Sequence, residues 1–176
     1  SDEPHFRINH FKLENVFAPP VGLAMLLPGM GKKHMMSMKK LRHYACVEVA
    51  VRDQIPGEIK LTSSGRVKVI KEVKGVDYQS YKNGEKVVHQ IFNSTGATKV
   101  INGELSIGLH LMGGMAIGQD SSTSVVNPNF ELHDYPNILC ADSSIFPNAP
   151  GINPSLTIMA LSLKAASKMI DQASTN

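Results

Sequence analysis

The sequence predicts an α+β fold. Short segments with alternating apolar residues fill much of the first half of the chain. An amphipathic helix with a glycine stop lies near 80–95, and a long apolar helix closes the chain. The strands over residues 1–122 are expected to pair antiparallel.

Taken in order, residues 1–30 are irregular. "INHFKLENVFAPPVGLAMLLPGMG" contains a short strand-like piece, a Pro-Pro break and an apolar segment that ends in Pro-Gly. It reads as the middle of a domain. "LRHYACVEVAVR", residues 41–52, alternates in part and is rich in β-branched residues, which predicts a strand. "GEIKLTSSGRVKVIKEV" reads as two strands around the turn "SSG". Ile59, Leu61, Val67 and Val69 stand at alternating positions and share one face. Tyr81, Val87, Val88, Ile91 and Phe92 have helical spacing and precede Gly96, which predicts about three helical turns and a glycine stop.

A glycine-rich stretch follows, "SIGLHLMGGMAIGQD". "SVVNPNFELH" and "NILCADSSIFP" then give two extended segments separated by "DYPN", the second with its strand at 137–142. Residues 154–171 form the strongest predicted helix. Its apolar positions leave only a narrow polar face, which predicts burial on most sides. Asn153-Pro154 reads as a helix start, with a side-chain cap followed by proline at the first helical position. The tail "QASTN" is expected to fray.

The bulk numbers narrow the function classes. At 42% hydrophobic and 19% charged, the 176 residues can bury a core, so this is not a disordered chain. Net charge is only +3. The basic run "GKKHMMSMKKLRH" reads as a solvated loop or helix face rather than a nucleic-acid or anionic-membrane patch, so no nucleic-acid partner is expected. No apolar run has the length of a transmembrane segment, and "SDEPHFRINH" is not a signal peptide. Cys46 and Cys140 each sit in an apolar stretch and read as buried free thiols. These suit a reducing compartment, and the expected location is cytoplasmic. The seven histidines lack metal-ligand spacing, so no metal site is expected.

Two motifs are candidates for chemistry. "HLMGGMAIG" places His110 three residues before Gly113-Gly114, where the backbone can pass close to another object. The spacing is not that of a dinucleotide fingerprint. "LCADSSIFP" ends a strand in Asp142, Ser143 and Ser144, a pattern that commonly makes a turn and less often a ligand site. A proline-rich loop then leads to the final helix, whose N-terminus offers N–H groups to an anionic ligand.

These stretches together resemble the C-terminal part of the glucose–methanol–choline family of flavin-dependent oxidoreductases. The resemblance rests on "HLMGGMAIGQD" and "SVVNPNFELHDYPNILCADSSIFPNAPGINPSLTIMALSLKAA", and more loosely on "IFNSTGATKV" and "VFAPPVGLA". It implies FAD as cofactor and oxidation of a small-molecule alcohol to a carbonyl. It implies His110 and Asn153 as the catalytic pair. It places Asp142, Ser143, Asn153 and Ser155 at the cofactor, with backbone N–H groups facing the flavin ring or pyrophosphate. It further implies an antiparallel-sheet substrate-binding domain over 1–122, and the last strand and helix of a Rossmann-like FAD-binding domain over 123–176.

The family's opening G-x-G-x-x-G is absent from these 176 residues. On that resemblance the chain reads as a fragment lacking the N-terminal FAD-binding half. A cloned piece is favoured over a proteolytic product or a split subunit, and the fragment alone is expected to be inactive and free of FAD. A glutamate that sterol oxidases of the family carry after Gly-Leu is Ala24 here, which argues against sterol isomerisation. The methionine-rich segment Leu23 to Met38 suits either a hydrophobic substrate lining or core filling. The alternative function is a non-catalytic subunit or interaction module that binds a partner chain. Both readings predict a large bare apolar patch on the final helix.

Overall fold

The computed structural model describes residues 9–174. Residues 1–8, which carry most of the segment read against a signal peptide, and the last two residues of the expected frayed tail lie outside that range. The described residues form an α+β fold of four α-helices and three two-stranded antiparallel sheets, divided between two compact units. One unit takes its residues from 1–52 and 73–108, the other from 53–72 and 109–176.

In the first unit, β1 (Phe11–Val16) pairs antiparallel with β2 (Cys46–Val51), with Leu13 opposite Val49. Two short helices lie between them. Helix α1 (Pro20–Leu26) has proline at its first position, so the Pro-Pro break starts a helix instead of only ending a strand. It buries Leu23, and Leu27 just beyond it is also buried. Helix α2 (Gly31–Met38) buries none of its side chains. Met25, Met30, Met35 and Met36 are all exposed, so these four do not fill a core.

Helix α3 (Gly75–Ser94) begins five residues before the expected start and ends at Gly96, whose φ of 77° is left-handed. The apolar spacing did not reveal its first turn, because Asp77 and Ser80 occupy the buried face there. It packs on β1 and β2 through Gly84. A Cβ at that position would stand 2.3 Å from Val49 Cγ1, so glycine is what permits the close approach.

In the second unit, β3 (Glu58–Leu61) and β4 (Val67–Ile70) form the expected hairpin, closed at Gly65 with a φ of 73°. Ile59 pairs with Val69 and Leu61 with Val67, and all four side chains are exposed. β5 (Glu131–Leu132) and β6 (Tyr135–Leu139) form a second hairpin. Its turn is His133-Asp134 rather than the expected "DYPN", and β6 ends at Leu139, earlier than the expected 142. Residues 140–142 lead into a 3₁₀ turn, Ser143–Ile145, because Asp142 caps it.

Helix α4 (Ser155–Ser174) closes the chain and extends beyond the expected frayed start at 172. The core of this unit is Val126, Phe130, Ile145 and Ala165, ringed by residues that include Met115, Ile117, Leu139 and Leu161. Only one side of α4 faces that core. Leu156 is 78% and Leu163 71% exposed, and Met159, Met169 and Ile170 are bare as well. The burial expected on most sides of this helix is therefore absent, while the expected bare apolar patch is present. Cys46 and Cys140 are free thiols and only half-buried. No helix among the described residues is long and apolar enough to cross a membrane.

Candidate active site

The second unit brings two of the sequence motifs together. The stretch after His110 runs alongside the 3₁₀ turn Ser143–Ile145 and hangs from it. The Gly113 N–H donates to the Ser143 carbonyl at 3.2 Å, Met115 N–H to Ser144 at 3.0 Å and Ile117 N–H to Ile145 at 3.0 Å. Ile145 is buried beneath this ladder and anchors it to the core. One bond runs the other way: the Ser143 hydroxyl donates to the Leu111 carbonyl at 2.9 Å. It crosses 32 residues of sequence to hold the residue next to His110. His110 itself is exposed, at a bend in the chain.

The glycines allow this path. Gly113 and Gly114 have φ of 87° and 99°, a left-handed geometry that costs a residue with a Cβ about 1–2 kcal/mol. The pair therefore lets the backbone turn sharply within the ladder, between its Gly113 and Met115 donors, three residues after His110.

The Asp142 turn is built from its own side chains. Asp142 Oδ1 accepts from the Ser144 N–H at 2.8 Å and from the Ser144 hydroxyl at 2.5 Å. These two bonds hold its carboxyl below the usual carboxylate range, the hydroxyl bond contributing most. Since the Ser144 proton goes to Asp142, the Cys140 thiol is the donor in its 3.1 Å contact with Ser144 Oγ. Asp120-Ser121-Ser122 repeats the arrangement: Asp120 Oδ1 accepts from the Ser122 N–H at 2.8 Å and its hydroxyl at 2.7 Å. The turn geometry alone thus gives Asp142 no ligand role.

Asn153 is exposed and stands just before α4. The first helical bond runs from the Ile158 N–H to the Pro154 carbonyl at 2.8 Å. Pro154 is therefore the capping position, and Asn153 lies one residue outside it. This moves the helix start by one residue from the expected proline at the first helical position. Pro154 is buried, while Ser155, Leu156 and Thr157 are exposed. The opening N–H groups of a 20-residue helix thus lie at an accessible end, where the dipole favours an oxygen-rich or anionic group. The helix is tied to the strand end by Ser162, whose hydroxyl donates to the Ala141 carbonyl at 2.6 Å.

A family model described as GMC oxidoreductase matches residues 57–162, more than half of the chain. The chain belongs to the GMC oxidoreductase family. Members of this family are FAD flavoproteins, and the match spans both the His110 stretch and the start of α4. The chain is 34% identical over 83 residues to paromamine 6'-oxidase of Streptomyces fradiae, covering 46% of this chain and 15% of that protein. It is 33% identical over 67 residues to cholesterol oxidase of Mycobacterium tuberculosis, covering 38% and 12%. It is 35% identical over 63 residues to the gluconate 2-dehydrogenase flavoprotein of Pantoea cypripedii, covering 36% and 10%. The chain therefore spans only a small part of the length of these relatives.

The α4 start and the exposed His110 fit the edge of a flavin in chemistry and accessibility. Among the described residues no group of three or more His, Cys, Asp or Glu could hold a metal ion. The sequence names Ser144 only as part of the polar turn after the strand, and nothing in it points to the Leu111 carbonyl. The Asp-x-Ser spacing was the available signal for Ser144, because it is the spacing of a side-chain-capped turn. The Leu111 contact has no local signal, since its partner lies 32 residues away.

Proposed function

We propose that this chain is the C-terminal region of a FAD-dependent oxidoreductase that converts an alcohol CH–OH group to a carbonyl. The observation that carries this reading is the hydrogen-bonded ladder between the stretch after His110 and the Ser143–Ile145 turn. It ties the stretch that follows the exposed His110 to the turn whose loop leads on to the start of α4.

In this reading His110, as neutral imidazole, accepts the substrate hydroxyl proton. Asn153 donates its amide N–H to the same oxygen and holds it in place without competing as a base. The bound flavin supplies a hydride acceptor. Asp142, Ser143, Asn153 and Ser155 line the cofactor, the last through the α4 N-terminus and Ser143 through its backbone. Residues 1–122 contribute to substrate binding and 123–176 form the last part of a Rossmann-like FAD-binding domain. That functional division differs from the two compact units, because the β3–β4 hairpin belongs with residues 109–176.

The bare faces of α4 and of the β3–β4 hairpin favour coverage by the remainder of a longer protein. They equally favour the second reading, a non-catalytic module that binds a partner chain. Absorbance of the full-length protein separates the two. The first reading predicts a flavin spectrum that bleaches anaerobically on adding an alcohol. A colourless protein from a gene with no G-x-G-x-x-G upstream of these residues supports the second.

A further inference from the structure

We propose that the Ser143 hydroxyl is a positioning group for His110, and not a side-chain donor to the cofactor. This rests on the proposed role of His110 as base. A serine has one hydroxyl proton. Here that proton goes to the Leu111 carbonyl at 2.9 Å, so the hydroxyl cannot also donate to a phosphate or ribityl oxygen.

The bond stands where the backbone ladder stops. The ladder donors are Gly113, Met115 and Ile117, each directed at a carbonyl of the 143–145 turn. The first of them is three residues past His110, and it opens the pair Gly113-Gly114, both with left-handed φ. A ladder that began at Gly113 would leave His110 at the end of a mobile arm. The Ser143 bond to Leu111 extends the support two residues back from Gly113, to the residue adjoining His110. Ser143 is itself fixed. Its carbonyl accepts from Gly113 and from the Phe146 N–H, at 3.2 and 3.3 Å, and the neighbouring Ser144 is held by Asp142. One residue thus grips the His110 stretch at two points just ahead of the glycine pair, Gly113 by its carbonyl and Leu111 by its hydroxyl.

The test uses the full-length enzyme with Ser143→Ala, Ser143→Thr, His110→Ala and the Ser143→Ala/His110→Ala double variant. A base displaced by about an ångström loses rate rather than substrate affinity. Ser143→Ala is therefore expected to lower kcat about 10- to 100-fold, with KM for the alcohol and Kd for FAD within about twofold of wild type. Ser143→Thr, which keeps the hydroxyl, is expected to restore kcat. Hydrogen exchange over 109–118 in the apoprotein should rise in Ser143→Ala and not in Ser143→Thr. In the His110→Ala background the Ser143→Ala loss should vanish, because the hydroxyl acts through the imidazole.

A Ser143→Ala loss that persists undiminished without His110 overturns the proposal. So does an FAD affinity weakened tenfold or more with exchange over 109–118 unchanged, since that makes the hydroxyl a cofactor ligand. Wild-type turnover in His110→Ala overturns the general-base reading on which the proposal rests. The exchange data distinguish that failure, because they report the Ser143–Leu111 bond whether or not His110 is the base.

Discussion

The Ser143 hydroxyl and the Leu111 carbonyl meet at 2.9 Å across 32 residues of chain. This contact joins the two motifs that composition and periodicity leave separate. It makes a glycine-rich stretch with a histidine and an Asp-Ser-Ser turn one hydrogen-bonded unit. The energetics of such a bond are modest, about 0.5–1.5 kcal/mol net. Its consequence is geometric, because it ties the residue after His110 to the Ser143–Ile145 turn.

Acid should loosen the Asp142 turn. The two bonds from Ser144 depress the carboxyl pKa in the folded state, so the carboxylate's contribution is complete above the ordinary value of about 3.9 and is lost as pH falls through the lower folded value. Asp142→Ala should therefore lower the melting temperature slightly at neutral pH, and the gap from wild type should close below about pH 3.9. Thermal melts between neutral pH and strong acid check this. A gap that widens on acidification contradicts it.

Asn, Ser and Asp all suit the start of a helix, so exchanging Asn153 among them should be nearly silent for folding. If its carboxamide holds the substrate oxygen, Asn153→Ser should lower turnover of the full-length enzyme on the order of 10²–10³-fold with an unchanged melting temperature. Asn153→Asp should be worse, because a carboxylate opposes negative charge developing nearby. Steady-state kinetics on a panel of alcohols, with melts alongside, give the answer. Unchanged turnover removes Asn153 from the site.

The bare stripe of α4 tests whether the rest of a longer protein covers it. Leu163 is 71% exposed here. If the full-length protein buries it, Leu163→Glu should cost on the order of 1–4 kcal/mol through a buried, unpaired carboxylate. Urea unfolding of the full-length protein measures this. A change within about 0.5 kcal/mol is what a surface position shows, and it would leave the stripe uncovered.

Local patterns were legible where one face of an element is apolar and its ends carry turn residues. The β3–β4 hairpin was readable from Ile59, Leu61, Val67 and Val69 around "SSG", and α3 from its apolar spacing and Gly96. The first turn of α3 was not legible, because polar Asp77 and Ser80 are buried there. Helix α1 was hidden behind Pro19-Pro20, which reads as a break although proline suits a first helical position. The end of β6 was misplaced because Cys140 and Ala141 are apolar enough to continue a strand, while the Asp142 side chain ends it. The partial exposure of α4 follows from what packs on it. An apolar helix records the surface it needs to cover, not whether that surface lies in the same 176 residues. His110 and Asn153 were recognisable only as a pattern. The Ser143 contact was not, because hydrogen bonds between distant segments leave no periodicity in sequence.

The most direct test of His110 as the base is the rate of flavin bleaching by alcohol in the full-length enzyme, followed anaerobically by stopped flow. His110→Ala should slow the bleaching rate at saturating alcohol by about 10²–10⁴-fold, with the melting temperature and flavin content of wild type. A bleaching rate equal to wild type in His110→Ala, at equal stability and flavin content, would contradict the account.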